Sequence, residues 1–377
     1  MRTSTLDRAL NHYAQAPHLV FWETTKACKL QCLHCRASAQ YGPAPGELST
    51  SEGMAFLDSL ASWKGASPIV IFTGGDCLAR ADLLELVRHG HEQGLRMGIA
   101  PSVTPRLQTP ILQDVFASGA RSASISCDGA HAATHDGIRG IAGHLDSTFL
   151  ALDLLRNIGF RLQVNTAVMA RNVHEMGDIA CMLLERKIHV WEVFFLVGTG
   201  RGTGEKEITA EQAEDVCRFL VALDAYGLTI RTVEAPFYRR VREQYDAYPE
   251  KLDRDGGPLY HELLGSVASR FGTPERTHHS ATLATGDGRG IVFVGHDGAI
   301  HPSGFLPISL GNVRTDSLMD IYQSHPLFES LRQGELEGAC GECEWRRLCG
   351  GSRARAYAHT GDPLASDPAC IHAVVTA

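Results

Sequence analysis

His18–Cys35, HLVFWETTKACKLQCLHC, runs from a β-rich apolar stretch straight into three cysteines within eight positions: Cys28, Cys32 and Cys35. Disulfides need pairs, and a closed zinc site normally takes four ligands. Three soft ligands on one loop therefore suggest a metal site with one position left open.

The same unit, a short β-rich run and then a chemically marked turn, recurs downstream. Further runs stand at 67–75, 96–104, 121–129, 161–169, 189–200 and 228–236. Helical patterns fill the intervals at 50–63, 81–94, 110–119, 144–159, 174–187 and 209–227, several of them stopping on glycine (Gly94, Gly119, Gly159, Gly227). Strand then helix, six times over, implies an α/β fold with parallel strands and right-handed crossovers. The strands read as continuous apolar runs, as expected when both faces of a sheet are covered. Periodicity leaves open whether the sheet is flat or curled. In either case ligands gather at the C-terminal ends of the strands, where the cysteine loop, TGGD (73–76), SCDG (126–129) and GTGRG (198–202) all fall.

Composition narrows the class. The chain has 377 residues, 44% hydrophobic and 21% charged, with a formal net charge of −8. That charge, with no basic stripe to offset it, argues against nucleic acid as a partner. No apolar run approaches the ~20 residues a membrane span needs, and the N-terminus lacks a signal peptide's apolar core. A cytoplasmic protein with reduced thiols is expected, and in that compartment clustered cysteines more often bind metal than pair.

Eleven cysteines divide into two clusters and four singles. Cys127, Cys181 and Cys217 read as small buried hydrophobes, and packing is the leading reading for Cys77. The second cluster, Cys340, Cys343, Cys349 and Cys370, offers four thiolates, a full complement for a [4Fe–4S] cluster or for structural zinc. Residues 236–289 are charged and aromatic, with one helix expected near 258–270 and a His-His pair at 278–279, and read as a bridge or lid. A hairpin signal follows at 291–303, turning on His-Asp-Gly.

The spacing C-x3-C-x2-C resembles the signature of the radical S-adenosylmethionine (SAM) superfamily. The tail, GACGECEWRRLCGGSRARAYAHTGDPLASDPACIH (338–372), resembles the SPASM/Twitch branch, in particular the enzymes of heme d1 biosynthesis and the iron-coproporphyrin decarboxylase of the alternative heme pathway. The resemblance implies a partial (β/α)6 TIM-like barrel over 1–235, a bridge over 236–289 and a small C-terminal auxiliary iron–sulfur cluster domain over 290–377. It implies a SAM-binding [4Fe–4S] cluster on Cys28, Cys32 and Cys35, and S-adenosyl-L-methionine cleaved reductively to a 5′-deoxyadenosyl radical. A second, auxiliary [4Fe–4S] cluster would sit on Cys340, Cys343, Cys349 and Cys370. Gly74, Gly75, Asp76, Ser126, Arg139, Asn165 and the backbone at Leu196 take the family's cofactor-contact positions, with Asp128 in the same fourth-strand segment as Ser126. Asp76 stands where the family has a longer acid. Ser303 and Ser352 replace cysteines of relatives, so one auxiliary cluster is expected rather than two. The implied substrate is a tetrapyrrole propionate, the alternative a ribosomally made peptide, and the remaining contrast a non-catalytic metal scaffold. An electron donor such as flavodoxin or ferredoxin is the implied partner. Arg201, Arg353 and Arg355 are candidates for substrate carboxylates, and His296 and His301 for a central iron.

Overall fold

The computed structural model describes residues 3–63, 68–246, 248, 250–274 and 284–372. Seven parallel strands stand side by side in chain order: β1 (Leu19–Thr25), β2 (Ile69–Gly74), β3 (Arg96–Ile99), β4 (Ala120–Ser126), β5 (Arg161–Val168), β6 (Val190–Phe195) and β7 (Thr229–Val233). All six expected helical patterns form the crossovers, Thr50–Ala61 through Ala210–Leu223. Two of them start on a reciprocal capping box, Ser49 with Glu52 and Thr209 with Gln212. Consecutive order without reversal is the topology of a TIM-like partial barrel.

The outer face of the strands is apolar. Val20, Trp22, Val70, Phe72, Val164, Trp191 and Val193 are sealed from solvent beneath the helices. Trp22 packs edge-on to Phe56, with ring centroids 5.4 Å apart. The helix Thr50–Ala61 comes so close here that a Cβ at Gly53 would lie 2.7 Å from the Trp22 ring. Cys77, Cys127, Cys181 and Cys217 all lie in this core. Burial pushes their thiols up, Cys127 to about 12, so they stay protonated and inert.

The inner face corrects one sequence expectation. It is not covered, because alternate residues of the same strands, apolar on β1 and β2 (Leu19, Phe21, Ile69, Ile71) and polar on β4 to β7 (Ser122, Ser124, Gln163, Asn165, Glu192, Arg231), line a cavity of about 950 Å³. The sheet also continues beyond the seven strands. The expected hairpin forms from β8 (Ile291–Val294) and β9 (Ile300–His301), and β8 adds itself parallel to β1, Leu19 opposite Ile291 and Trp22 opposite Val294. The C-terminal segment thus begins inside the first sheet.

Past β7 the helix expected near 258–270 spans Pro258–Phe271 and packs on the barrel helices, its Leu263 carbonyl 2.7 Å from where a Cβ on Gly177 would stand. Phe237–Asp246 is also helical, which its dense charge concealed: Arg240 and Arg242 are buried against Glu214 and Asp224. The His-His pair at 278–279 lies outside the described residues. Among the described residues no helix is long and apolar enough to cross a membrane.

The tail bridges the gap between the two sheet edges. On the β8 side, Arg289 donates to the carbonyl of Arg347 at 2.8 Å. On the other side, Ser352 donates to Glu234, just past β7, and Arg355 reaches the Leu196 carbonyl past β6 at 3.4 Å.

Candidate active site

The loop after β1 is held at both ends by backbone pairing. Cys28 N–H donates to the Gln40 carbonyl at 2.7 Å, and Gln40 N–H to the Lys26 carbonyl at 3.0 Å. Glu47 ties the start of the loop by accepting from Thr25 Oγ1 and Lys26 N–H, each at 2.9 Å. Within it Cys28 and Cys32 are buried beside Leu30 and Ala39, with Cys35 half-buried against them.

GTGRG after β6 clamps this loop from across the barrel. Arg201 donates to the carbonyls of Cys32 (3.0 Å) and Ala39 (2.8 Å), and its N–H to that of Cys35 (3.0 Å). Gly200 has φ +55°, and a Cβ there would lie 2.3 Å from the Arg36 carbonyl, so only glycine lets the strands meet. Arg201 is therefore a strut of the cysteine loop and not a free cation.

TGGD lies on the other side of the loop. A Cβ on Gly74 or Gly75 would stand 2.3 Å or 2.4 Å from the carbonyl of Thr25 or Ala27. The close approach these glycines permit is to the loop's own backbone. Asp76 is 1% exposed and accepts from Leu78 N–H, Ser102 N–H and Thr104 Oγ1 (3.2, 3.3 and 2.8 Å), so its carboxylate is occupied within the protein. Ser102 in turn donates to the Gly75 carbonyl (2.9 Å) and lies 3.5 Å from the Cys28 thiol.

Arg139 reaches the loop from the helix Ala132–Arg139. Its Nη1 donates to the Cys32 thiol at 3.5 Å and its Nη2 to the fully buried Asp128. Burial alone would raise the Asp128 carboxyl, but Arg139, His34 and His135 hold it below its usual value. Asp128 also accepts from Ala167 N–H at 2.8 Å and so ties β4 to β5. A neutral imidazole chain supports it: Asp128 N–H donates to His135 Nδ1 (3.1 Å), His135 Nε2–H to His144 Nδ1 (2.9 Å), and His144 Nε2–H to the Val103 carbonyl (3.0 Å). Burial, followed by Arg139, lowers His135 to about 4. His34, His135 and His144 were not anticipated from sequence. Only the crowding of HC, HD and HL around the loop and the fourth turn hints at them.

Ser126 is half-buried at the end of β4. Asn165 faces the cavity from β5, accepting from Gln163 Nε2 (2.8 Å), which also donates to Glu192 (2.8 Å). Leu196 packs with Ile138 and Met169 in a small apolar cluster. The cofactor-contact candidates Ser126, Arg139, Asn165 and Leu196 thus surround the ends of β4, β5 and β6.

Several buried polar atoms around the cysteine loop lack a partner: His34 Nδ1, Arg139 Nε, Thr199 Oγ1 and Arg201 Nη2. Unsatisfied buried groups are costly. Three thiols beside unclaimed donors suit a thiolate-held cluster with a polar, charged ligand on its open corner.

The second set of thiols lies in the tail. Cys340, Cys343, Cys349 and Cys370 are all half-buried. Each accepts a backbone N–H: Cys340 from Asp367, Cys343 from Trp345, Cys349 from Gly351 (all 3.4 Å), and Cys370 from His372. Among the described residues only Cys343, Glu344 and His372 bring three ligand atoms within 4.8 Å of one another. No three of the four tail sulfurs lie within 4.8 Å of one another, whereas sulfurs bound to one tetrahedral zinc would sit about 3.8 Å apart. Ser352 is no ligand here: it caps the helix Arg353–Thr360, accepting from Arg355 N–H at 2.9 Å. Ser303 is likewise buried and accepts from Phe305 N–H at 3.3 Å.

Of the other substrate candidates, Arg355 is spent on Glu207 and Asp367, and Arg353 on the carbonyls of Gly351, Pro363 and Ala365. His296 is paired with Glu23 at 3.0 Å, and His301 is packed against the Phe293 ring. Arg353 does line the cavity, beside cations the sequence reading passed over, among them Arg36, Arg121, Arg161 and Arg231.

The radical SAM superfamily profile matches residues 22–182, and that of an iron-sulfur cluster-binding domain (SPASM) matches 287–344. The chain is 35% identical over 362 residues to the AdoMet-dependent heme synthase of Methanosarcina barkeri, covering 95% of this chain and 97% of that protein. It is 31% identical to the Fe-coproporphyrin III synthase of the same organism, over 93% of this chain and 87% of that one. Streptococcus suis SuiB, solved bound to S-adenosylmethionine, superposes with a TM-score of 0.67 at 13% identity, over 98% of this chain and 81% of that one, and so shares the fold.

Proposed function

The chain belongs to the radical SAM superfamily, and from that premise we propose that it is an enzyme of heme-type biosynthesis removing or altering tetrapyrrole propionates. Its radical SAM domain binds a [4Fe–4S] cluster and S-adenosyl-L-methionine, and its SPASM domain indicates an auxiliary iron–sulfur cluster. Bound together, cluster and cofactor supply a 5′-deoxyadenosyl radical able to take a hydrogen atom from an unactivated carbon.

Cys28, Cys32 and Cys35 hold three corners of the first cluster and leave the fourth for the cofactor. Ser126, Arg139, Asn165 and Leu196 surround the cofactor, while Gly74, Gly75 and Asp76 shape the loop that carries it. Cys340, Cys343, Cys349 and Cys370 hold the auxiliary cluster. Once a hydrogen atom leaves the β-carbon of a propionate, loss of one further electron releases CO2 and leaves a vinyl group. That electron needs an acceptor, and Cys349 brings the auxiliary site to the cavity wall. We assign the protein to the cytosol, with electrons arriving from a flavodoxin- or ferredoxin-like donor. None of the eleven cysteines is joined in a disulfide, in keeping with that compartment.

The observation that carries the substrate class is the cavity. At about 950 Å³ it lies at the upper end of the ~300–1,000 Å³ usual for small-molecule sites, and arginines are set in its wall. No comparable observation favours a peptide. The test is anaerobic incubation of reduced, reconstituted enzyme with S-adenosylmethionine and iron-coproporphyrin. The expected product has lost one CO2 and two hydrogens per altered side chain, with 5′-deoxyadenosine formed alongside. Cofactor cleavage without any change in porphyrin mass would overturn the substrate assignment.

A further inference from the structure

Among the described residues seven arginines are buried, and four of them are answered by an acid. Arg139 faces Asp128, Arg240 faces Glu214, Arg242 faces Asp224 and Arg355 faces Asp367. Arg353 is spent on the carbonyls of Gly351, Pro363 and Ala365, which leaves Arg239 and Arg289. They are 7% and 6% exposed and close enough to repel each other, and among the described residues neither has a carboxylate within ion-pair distance. Arg289 donates to the carbonyls of Arg347 (2.8 Å), Leu348 (3.4 Å) and Cys349 (3.5 Å), and its Nε has no partner. Arg239 donates to the carbonyl of Thr285 at 2.9 Å. The nearest acid, Asp287, is committed elsewhere, capping the helix Arg353–Thr360 through Arg353 N–H (3.2 Å) and Ala354 N–H (3.1 Å).

Two adjacent buried guanidiniums without a counter-charge are a costly arrangement. Both line the cavity beside Cys349. The auxiliary thiols draw their donors from elsewhere: Arg353 Nη2 and Asp367 N–H serve Cys340, and Trp345 and Gly351 N–H serve Cys343 and Cys349. Cys349 lies close enough to act on both electrostatically, but neither guanidinium hydrogen-bonds its sulfur, so an anion that pairs with them directly comes from the cavity side. We propose that Arg239 and Arg289 form a carboxylate subsite that grips a propionate the enzyme is not removing, and so sets which side chain of the ring faces the cysteine loop. This rests on the tetrapyrrole reading above. A guanidinium pair suits it because its planar donors match a carboxylate two bonds at a time.

The experiment is equilibrium titration of reconstituted holoenzyme, without reductant, with iron-coproporphyrin III and with its tetramethyl ester, following the porphyrin absorbance. The wild-type protein is expected to bind the acid roughly ten- to a hundredfold more tightly than the ester, the range of a charge-assisted contact. Arg239→Gln should lose about tenfold toward the acid and nothing toward the ester. Arg239 is the residue to vary, because Arg289 also holds the tail carbonyls. Iron content of the variant is measured alongside, and if it falls the wild-type acid-against-ester ratio still decides. Equal binding of acid and ester by the wild type, or an undiminished acid affinity in the variant, overturns the subsite while the tetrapyrrole reading stands. If neither porphyrin binds, both are withdrawn.

Discussion

The loop after β1 and the C-terminal tail both gather thiols, yet they are built on opposite plans. The loop's three sulfurs are packed under backbone and braced from four directions, by Gln40, Glu47, Arg139 and Arg201. Unsatisfied donors remain around it. The tail's four sulfurs are half-buried and each receives a backbone N–H of its own. The first arrangement offers three sulfurs and so leaves a place for a ligand, and the second offers a full set of four. A short cysteine count in sequence therefore marks where chemistry can enter, and a full count marks where it is held.

The strongest way to break this contrast is to exchange the losses. Replacing Cys28, Cys32 and Cys35 together with alanine should lower iron from about eight to about four per chain and abolish 5′-deoxyadenosine formation. Replacing Cys340 and Cys349 should also halve the iron but leave cofactor cleavage intact, while porphyrin conversion ceases. Iron assay and chromatography of 5′-deoxyadenosine read both. Equal loss of cofactor cleavage in the two variants would mean the sites are not separable.

Next in size is Arg139→Leu. It strands the Asp128 carboxylate, which is 1% exposed, and should cost about 3 kcal/mol in urea denaturation. Pairing it with Asp128→Leu should recover much of that loss.

Acid should act on the loop's support. His135 titrates at about 4 folded against 6.5 unfolded, so the unfolded chain takes up its proton first. Its stabilising contribution is complete above pH 6.5 and is lost progressively down to pH 4. About 2 kcal/mol should go between pH 7 and pH 5, and His135→Asn should flatten that slope. Urea midpoints at the two pH values measure it.

The smallest effect belongs to the tail. Ser352→Ala removes a helix cap and should cost about 1 kcal/mol while leaving the iron content unchanged. A fall in iron would make Ser352 a ligand after all.

Much of this was legible in the sequence, for reasons the structure makes explicit. Each βα unit announces itself because one strand face and one helix stripe share a core, as Trp22 with Phe56 shows. Clustered cysteines announce themselves because chemistry demands them close together. The cavity wall did not, although Ser122, Ser124, Gln163 and Glu192 alternate with buried apolar neighbours at period two. That alternation was read as a covered strand. Arg201 and Arg355 were offered for substrate and proved to be struts, because a guanidinium's partners can lie far off in sequence: Arg201 grips a carbonyl 169 residues away. The pairing of β8 with β1 was hidden for the same reason.

That last pairing bears on how the chain is made. β1 emerges early from the ribosome, and β2 can join one of its edges as soon as it is synthesised. The other edge must wait for β8, which follows all seven barrel strands and the bridge. Throughout most of synthesis an apolar strand with bare amides and carbonyls is on offer to any neighbour, and such edges seed misassembly. Chains truncated before Ile291 should therefore aggregate, however complete their seven-stranded half.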